Sequence, residues 1–346
     1  MTAPQQGIVV AGRAMELRQV KPEDGPALVG LHQQVFGAGA DLAWFDWKYG
    51  ASQGAGLGMG LWHDGQMIAF CGGVPRRFQL PDQAQRDAAY VQIGDVMVRP
   101  DWRAVLTRRS VFFTVSKAFY DGHIGAQGAF AAGFGFPSAR HLRLADKLGL
   151  LRGAGQMVEL LWDAPAQGAP SARPPVDGLW RWRLQRIHPE QADFDSTVRA
   201  CWAAMRQSLP HALLGERTPA YVRWRFGARP HTRCDFWALK RPWSSSALGL
   251  AVVSQPPPGQ PCRWLDWIGP ASGLPLAAPL VWRAVQRTGV RQMSTWASAE
   301  VAYWLAPQAH GQRPAAPIGV PVRSVLPASH NADLPWWFMA GDTDFL

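Results

Sequence analysis

Cysteine is scarce in this chain of 346 residues: Cys71, Cys201, Cys234 and Cys262 are the only four, and no two share C-x-x-C spacing. That spacing argues against both a disulfide scaffold and a zinc ribbon, and it fits thiols kept reduced in a cytoplasm. Lysine is almost as rare, with Lys21, Lys48, Lys117, Lys147 and Lys240 set against thirty arginines. No apolar run approaches the ~20 residues that a membrane helix needs. Met1 to Val10 carries no basic side chain ahead of its short apolar patch, so a signal peptide is not expected. H-E-x-x-H, G-x-S-x-G and G-x-x-x-x-G-K-[ST] are all missing, and the nine histidines form no helical metal pair. No metal site is expected. The expectation is a cytoplasmic globular protein without a membrane span.

What is present is apolar residue at 47%, charged residue at 17% and a net charge of +10. A sizeable core follows, and an anionic partner is suggested. Residues 1–162 hold 16 basic against 13 acidic side chains, and residues 163–346 hold 19 against 12. The excess therefore sits in the second half, as a solvated basic face or a phosphate-binding surface.

Asp163 to Asp177 contains Pro165, Pro170, Pro174 and Pro175 without an apolar period, and reads as a linker over 163–177. It separates domains at 1–162 and 178–346. The flanks carry a repeated pattern. Phe45-Asp46-Trp47-Lys48-Tyr49-Gly50 is matched by Val222-Arg223-Trp224-Arg225-Phe226-Gly227 at an offset of 177, and Ile93-Gly94-Asp95-Val96 by Leu265-Asp266-Trp267-Ile268 at 171. Two patches at nearly one offset suggest tandem copies of one fold.

Within the first copy, periodicity predicts a strand at 15–20 and a helix carrying Leu28, Leu31 and Val35. A helix capped by Asp41 follows, then a mobile glycine stretch at 54–60 and a hairpin about Asp64-Gly65. A strand over 90–98, a helix over 108–120, a strand over 129–134 and a helix from Ser138 to Gly149 complete it. The order is β-α-α-β-β-β-α-β-α-β, an α/β fold with a mixed sheet.

Two local sequences on that order carry a resemblance. Val91-Gln92-Ile93-Gly94-Asp95-Val96-Met97-Val98-Arg99-Pro100-Asp101-Trp102-Arg103 resembles the central strand and V-x-P-x-x-R entry of the GNAT acyl-coenzyme A transferases. Phe134-Gly135-Phe136-Pro137-Ser138 with Leu144 to Leu150 is similar to their later strand and helix. The paired Trp-[Lys/Arg]-aromatic-Gly motifs and Gly341-Asp342-Thr343-Asp344 look like tandem GNAT proteins found with bacterial polysaccharide genes.

The resemblance implies an N-acyltransferase that takes acetyl-CoA as donor and uses no metal. Its acceptor would be a small-molecule amine, with amino sugars and nucleotide-linked sugars as candidates. It places the backbone at Met97 and Val98 beside the thioester carbonyl. The phosphates would lie on Arg103, Ala104, Val105, Leu106, Thr107 and Arg108, with Ser138 near the coenzyme. Asp95 would be the base or water-orienter; capping of the following loop is the competing reading. Trp44, Trp47 and Tyr49 would form an aromatic wall to the acceptor, while the second domain, a degenerate copy, would add Arg223 and Arg225 as guanidinium forks for an anionic acceptor. The stretch 103–108 lacks the family's glycines, and Ala145 stands where a tyrosine is usual. Two other readings remain: a peptidoglycan-bridge aminoacyltransferase using aminoacyl-tRNA, which alone would bring in nucleic acid, and a non-catalytic binding module.

Overall fold

A computed structural model describes residues 6–10, 12–37, 39–50, 57–81, 83–103, 107–164, 181–257, 259–327 and 334–343. Residues 165–177 of the expected linker lie outside this set, as do Ala104, Val105 and Leu106. The chain forms two compact units. One comprises Met1–Phe78, Ala88–Ala154 and Pro317–Ala332, and the other Gln79–Asp87, Gly155–Ala316 and Asp333–Leu346. The units are therefore discontinuous, where continuous halves at 1–162 and 178–346 were expected. Segment 317–332 belongs with the first unit through backbone bonds between Gly135 and Gly319 and a Ser324 Oγ that accepts from Gly133 N.

The first unit runs β1 (Gln6–Val10), β2 (Arg13–Gln19), α1 (Gly25–Phe36), α2 (Leu42–Tyr49), β3 (Leu57–His63), β4 (Gln66–Leu80) and β5 (Gln83–Val98). Then come α3 (Val111–His123), β6 (Ala132–Phe134) and α4 (Ala139–Lys147), after which β7 (Leu151–Asp163) passes into the second unit at Gly155. Its strands lie in the order β1-β2-β3-β4-β5-β6, antiparallel at the β1/β2, β2/β3 and β3/β4 joins and parallel between β5 and β6.

Each face of this sheet has its own apolar layer. Leu28, Leu31, Phe45 and Tyr49 from α1 and α2 pack with Phe70 and Met97. Val111, Val115 and Phe119 of α3, with Ala145 and Leu148, pack with Val91 and Val98. Caps set the helix starts. Asp41 accepts from Trp44 N, Ser110 from Phe113 N and Ser138 from His141 N. Ser110 is why α3 starts at Val111 and not at Arg108 as expected.

Of the glycine stretch expected to be mobile, Gly54 and Gly56 lie outside the described residues, and the rest is a strand. Gly58 and Gly60 lie in β3, and a Cβ at Gly60 would come within 2.2 Å of the Trp62 ring. The glycine makes room for that ring. Gly60→Ala should therefore cost about 1–3 kcal/mol by overpacking, read as a shifted urea midpoint at unchanged slope.

The second unit repeats the plan with β8 (Arg183–Ile187), α5 (Phe194–Ser208), β9 (Leu213–Gly215), α6 (Pro219–Val222) and a π-turn at Arg223–Gly227. β10 (Cys234–Lys240), β11 (Ala247–Ser254), β12 (Cys262–Ile268), α7 (Leu274–Gln286), β13 (Gln292–Ala297), α8 (Ala299–Leu305), β14 (Gly311–Pro321) and β15 (Trp336–Trp337) complete it. Its sheet order is β14-β7-β13-β12-β11-β10-β8, with a parallel join at β12/β13 that answers to β5/β6. Thus β10, β11 and β12 answer to β3, β4 and β5, and α7, β13 and α8 to α3, β6 and α4. Two mixed sheets built on one element order fit a tandem arrangement. Among the described residues, no helix is long and apolar enough to cross a membrane.

Candidate functional site

The site grows from an irregularity in β5. Val91 and Ile93 face the α3 layer, as strict alternation allows, but Val96 and Val98 face it too, while Met97 joins the α1/α2 layer. The facing parity therefore changes between Ile93 and Val96. That shift is the mark of one extra residue in a strand. Asp95 sits at the shift with φ +53°, a left-handed conformation that aspartate tolerates better than β-branched residues.

The bulge turns the Asp95 carboxylate toward α1 and α2. Oδ2 accepts from Tyr49 Oη at 2.7 Å and lies 2.6 Å from Lys48 Nζ. Oδ1 lies 4.0 Å from His32 Nε2, and no closer donor reaches it among the described residues. Lys48 is 4% exposed, so its ammonium has left bulk water for this carboxylate. The His32 ring is flanked by Phe36 and Trp44, at centroid distances of 4.9 and 4.7 Å. Burial lowers the His32 pKa, against the pull of Asp95 and with help from Lys48, so the imidazole stays neutral near neutral pH. The result is a half-buried base next to an anchored carboxylate. Among the described residues, the carboxylate partners of Asp95 are side chains of α1 and α2 and not a loop N–H.

The other expected residues fall as follows. Tyr49 joins the cluster through its hydroxyl, but its ring is buried, and Trp47 is core. Of the three expected wall residues, Trp44, beside His32, is the one that is not buried. Met97 and Val98 are buried at the end of β5, and Arg103 Nε donates to Val98 O at 2.8 Å. Thr107 Oγ1 accepts from Arg109 N, and Ser138 serves as the α4 cap. Arg108 is exposed. Ala145 is fully buried, so no phenol replaces the missing tyrosine there.

The second unit departs from the first at the matching positions. Asp266, the counterpart of Asp95, is held by Arg217 through Nε at 2.7 Å, and Arg217 Nη2 also reaches Asp342 at 2.6 Å. All three side chains are sealed from solvent. Arg225 is buried and donates to the carbonyls of Gly341 and Thr343. Arg223 pairs with Asp195 at 2.8 Å and lies over the Phe194 ring. Expecting both arginines to present open guanidinium forks needs correction. Arg225 is a structural tie to the C-terminal segment, and Arg223 is already neutralised.

Two members of the cluster went unassigned from sequence. Lys48 was visible within the repeated motif, and a lysine between Trp47 and Tyr49 on an apolar helix is a signal for a buried partner. His32 carried no signal, since only the fold brings α1 to the bulge.

No protein-family model and no curated protein matches the sequence. Solved structures do. A conserved protein of unknown function from Enterococcus faecalis V583, described as a probable N-acyltransferase, aligns with TM-score 0.63 at 10% identity over 89% of this chain and 73% of its own. GCN5-related N-acetyltransferases from Anabaena variabilis ATCC 29413 and Kribbella flavida align with TM-score 0.56. Their identities are 13% and 11%, over 88% of this chain and 72% and 71% of theirs. The chain thus has the fold of GCN5-related N-acetyltransferases in a two-sheet form. At such identities, the likeness is one of fold.

Proposed function

We propose that the chain transfers an acyl group from acyl-coenzyme A to an amine, with the chemistry in the first unit. The observation that carries this reading is the Asp95 cluster: an anchored carboxylate and a neutral imidazole meet at a strand bulge of an acyltransferase fold. An acyl-coenzyme A thioester supplies an activated carbonyl with a thiol leaving group. The chain's own residues handle the amine. A nitrogen between Asp95 Oδ1 and His32 Nε2, which are 4.0 Å apart, can lie at an ordinary hydrogen-bond length of roughly 2.8–3.0 Å from both. Lys48 and Tyr49 occupy Oδ2 and keep the carboxylate still. Asp95 accepts the amine proton or balances the charge as His32 takes it. Phosphate charge is met by Arg103 and Arg108, in place of glycine backbone.

The acceptor is a small amine, and amino sugars remain the candidate class from the sequence resemblance. The aminoacyl-tRNA reading keeps less of its basic surface than the charge count offered, since Arg186, Arg217, Arg223 and Arg225 in the second unit have partners. Calorimetric titration with acetyl-coenzyme A should give a saturable isotherm, and free thiol should appear when primary amines, amino sugars among them, are added. Absence of any binding heat would overturn the assignment. Binding without thiol release across the amines would leave a binding module.

A further inference from the structure

The stretch 103–108 lacks the glycines that would let backbone N–H groups close on phosphate, and one donor at the start of α3 is already taken by its cap. Ser110 Oγ takes Phe113 N, Ser110 O takes Thr114 N, and Thr107 Oγ1 takes Arg109 N. Fewer donors therefore point outward than at an open helix N-terminus. Cationic side chains gather instead at one adjoining cleft.

This cleft encloses about 450 Å³ between α3, the turn after α4 and the segment 321–323. Arg108, the last residue of the phosphate stretch, opens it, and Lys117 and Arg323 line it. Asp121 is its one acidic lining residue, and both Lys117 and Arg323 share it. Arg108 has no hydrogen-bond or ion-pair partner among the described residues. Three cations thus face one carboxylate, leaving two positive charges uncompensated in a concave site. Guanidinium groups suit a phosphate monoester because they can donate two parallel bonds to its oxygens.

We propose that this cleft is a phosphate-monoester site that receives the 3′-phosphate of coenzyme A through Arg108 and Arg323. It rests on the acyl-coenzyme A reading, and the cleft begins where the pyrophosphate stretch ends. Tyr120 and Leu150 supply apolar wall beside the charges.

The test compares coenzyme A, 3′-dephospho-coenzyme A and inorganic phosphate by calorimetry on the full chain. Coenzyme A should bind about tenfold more tightly than the dephospho form, a difference of about 1.4 kcal/mol. In Arg108→Gln/Arg323→Gln, the two should bind alike. Both side chains are exposed, so folding should survive, and Arg108→Glu alone should reproduce most of the loss. Equal affinities in the unaltered chain would overturn the cleft assignment while leaving the transferase reading intact. So would a tenfold preference that persists in the double variant. Inorganic phosphate that competes as well as coenzyme A would make this a free-anion site. Failure of both coenzyme forms to bind would remove the transferase reading along with the cleft.

Discussion

Arg217→Met should destabilise the second unit by about 3–5 kcal/mol, the usual cost of removing one partner from a buried ion pair. The guanidinium is fully enclosed and answers two carboxylates, so its loss takes one shared counter-charge away from both Asp266 and Asp342. Methionine fills much of the volume and supplies no donor. For a unit of this size the midpoint should fall by roughly 6–20 °C, at about 2–4 °C per kcal/mol. Scanning calorimetry reads it directly. A loss below about 1 kcal/mol would mean that water or rearrangement satisfies the pair. Adding Asp266→Asn to Arg217→Met should return part of the loss, because it removes one of the two carboxylate charges.

The same cluster sets a pH dependence. Burial and the facing charge of Asp342 raise the Asp266 carboxyl to about 6 from 3.8, against the pull of Arg217. Between those values the folded state holds a proton that the unfolded state has released. Its stabilising contribution is complete below pH 3.8 and is lost as pH rises through about 6. Asp266→Asn should flatten that part of the stability profile.

Apart from β1 at Gln6–Val10, which was not expected, the order of elements in the first unit was legible because it is written locally. Leu28 and Leu31 on one helical face, the Asp64-Gly65 turn and the Ser138 cap each act within a few residues, and each formed. Asp95 was legible as an acid in an apolar strand. Its partners were not, because α1, α2 and β5 meet only through sheet packing across some sixty residues of chain from His32 to Asp95. Arg225 misled for a related reason. An arginine in a Trp-Arg-Phe-Gly motif reads as surface until Gly341 and Thr343, more than a hundred residues away, supply its acceptors. The domain boundary was also missed, since a proline-rich stretch marks a loose connection but not the strand β7 that precedes it and pairs with β13. Two-sided pairing of this kind leaves no composition signal.

Asp95→Asn should lower turnover by roughly 10²–10⁴-fold, the ordinary contribution of a positioned acid–base group, while leaving acetyl-coenzyme A affinity unchanged. The substitution has a second effect that must be separated, for it leaves Lys48 buried without its anion. A fall in rate could then report a loosened α2 and nothing chemical. Lys48→Met/Asp95→Asn removes both charges at once, and replacing a buried pair by neutral groups is often close to neutral in stability. The double variant should therefore regain the thermal midpoint without regaining turnover. His32→Gln supplies the independent check. Burial holds His32 below the ordinary histidine pKa, so the base is neutral and active above that lowered value and protonated and silent below it. The rate should thus rise with pH through a limb below the usual histidine range, and that limb should disappear in His32→Gln. Turnover restored in the double variant would make Asp95 a structural anchor for α2. A limb that survives in His32→Gln would return the proton to the Asp95 carboxylate alone.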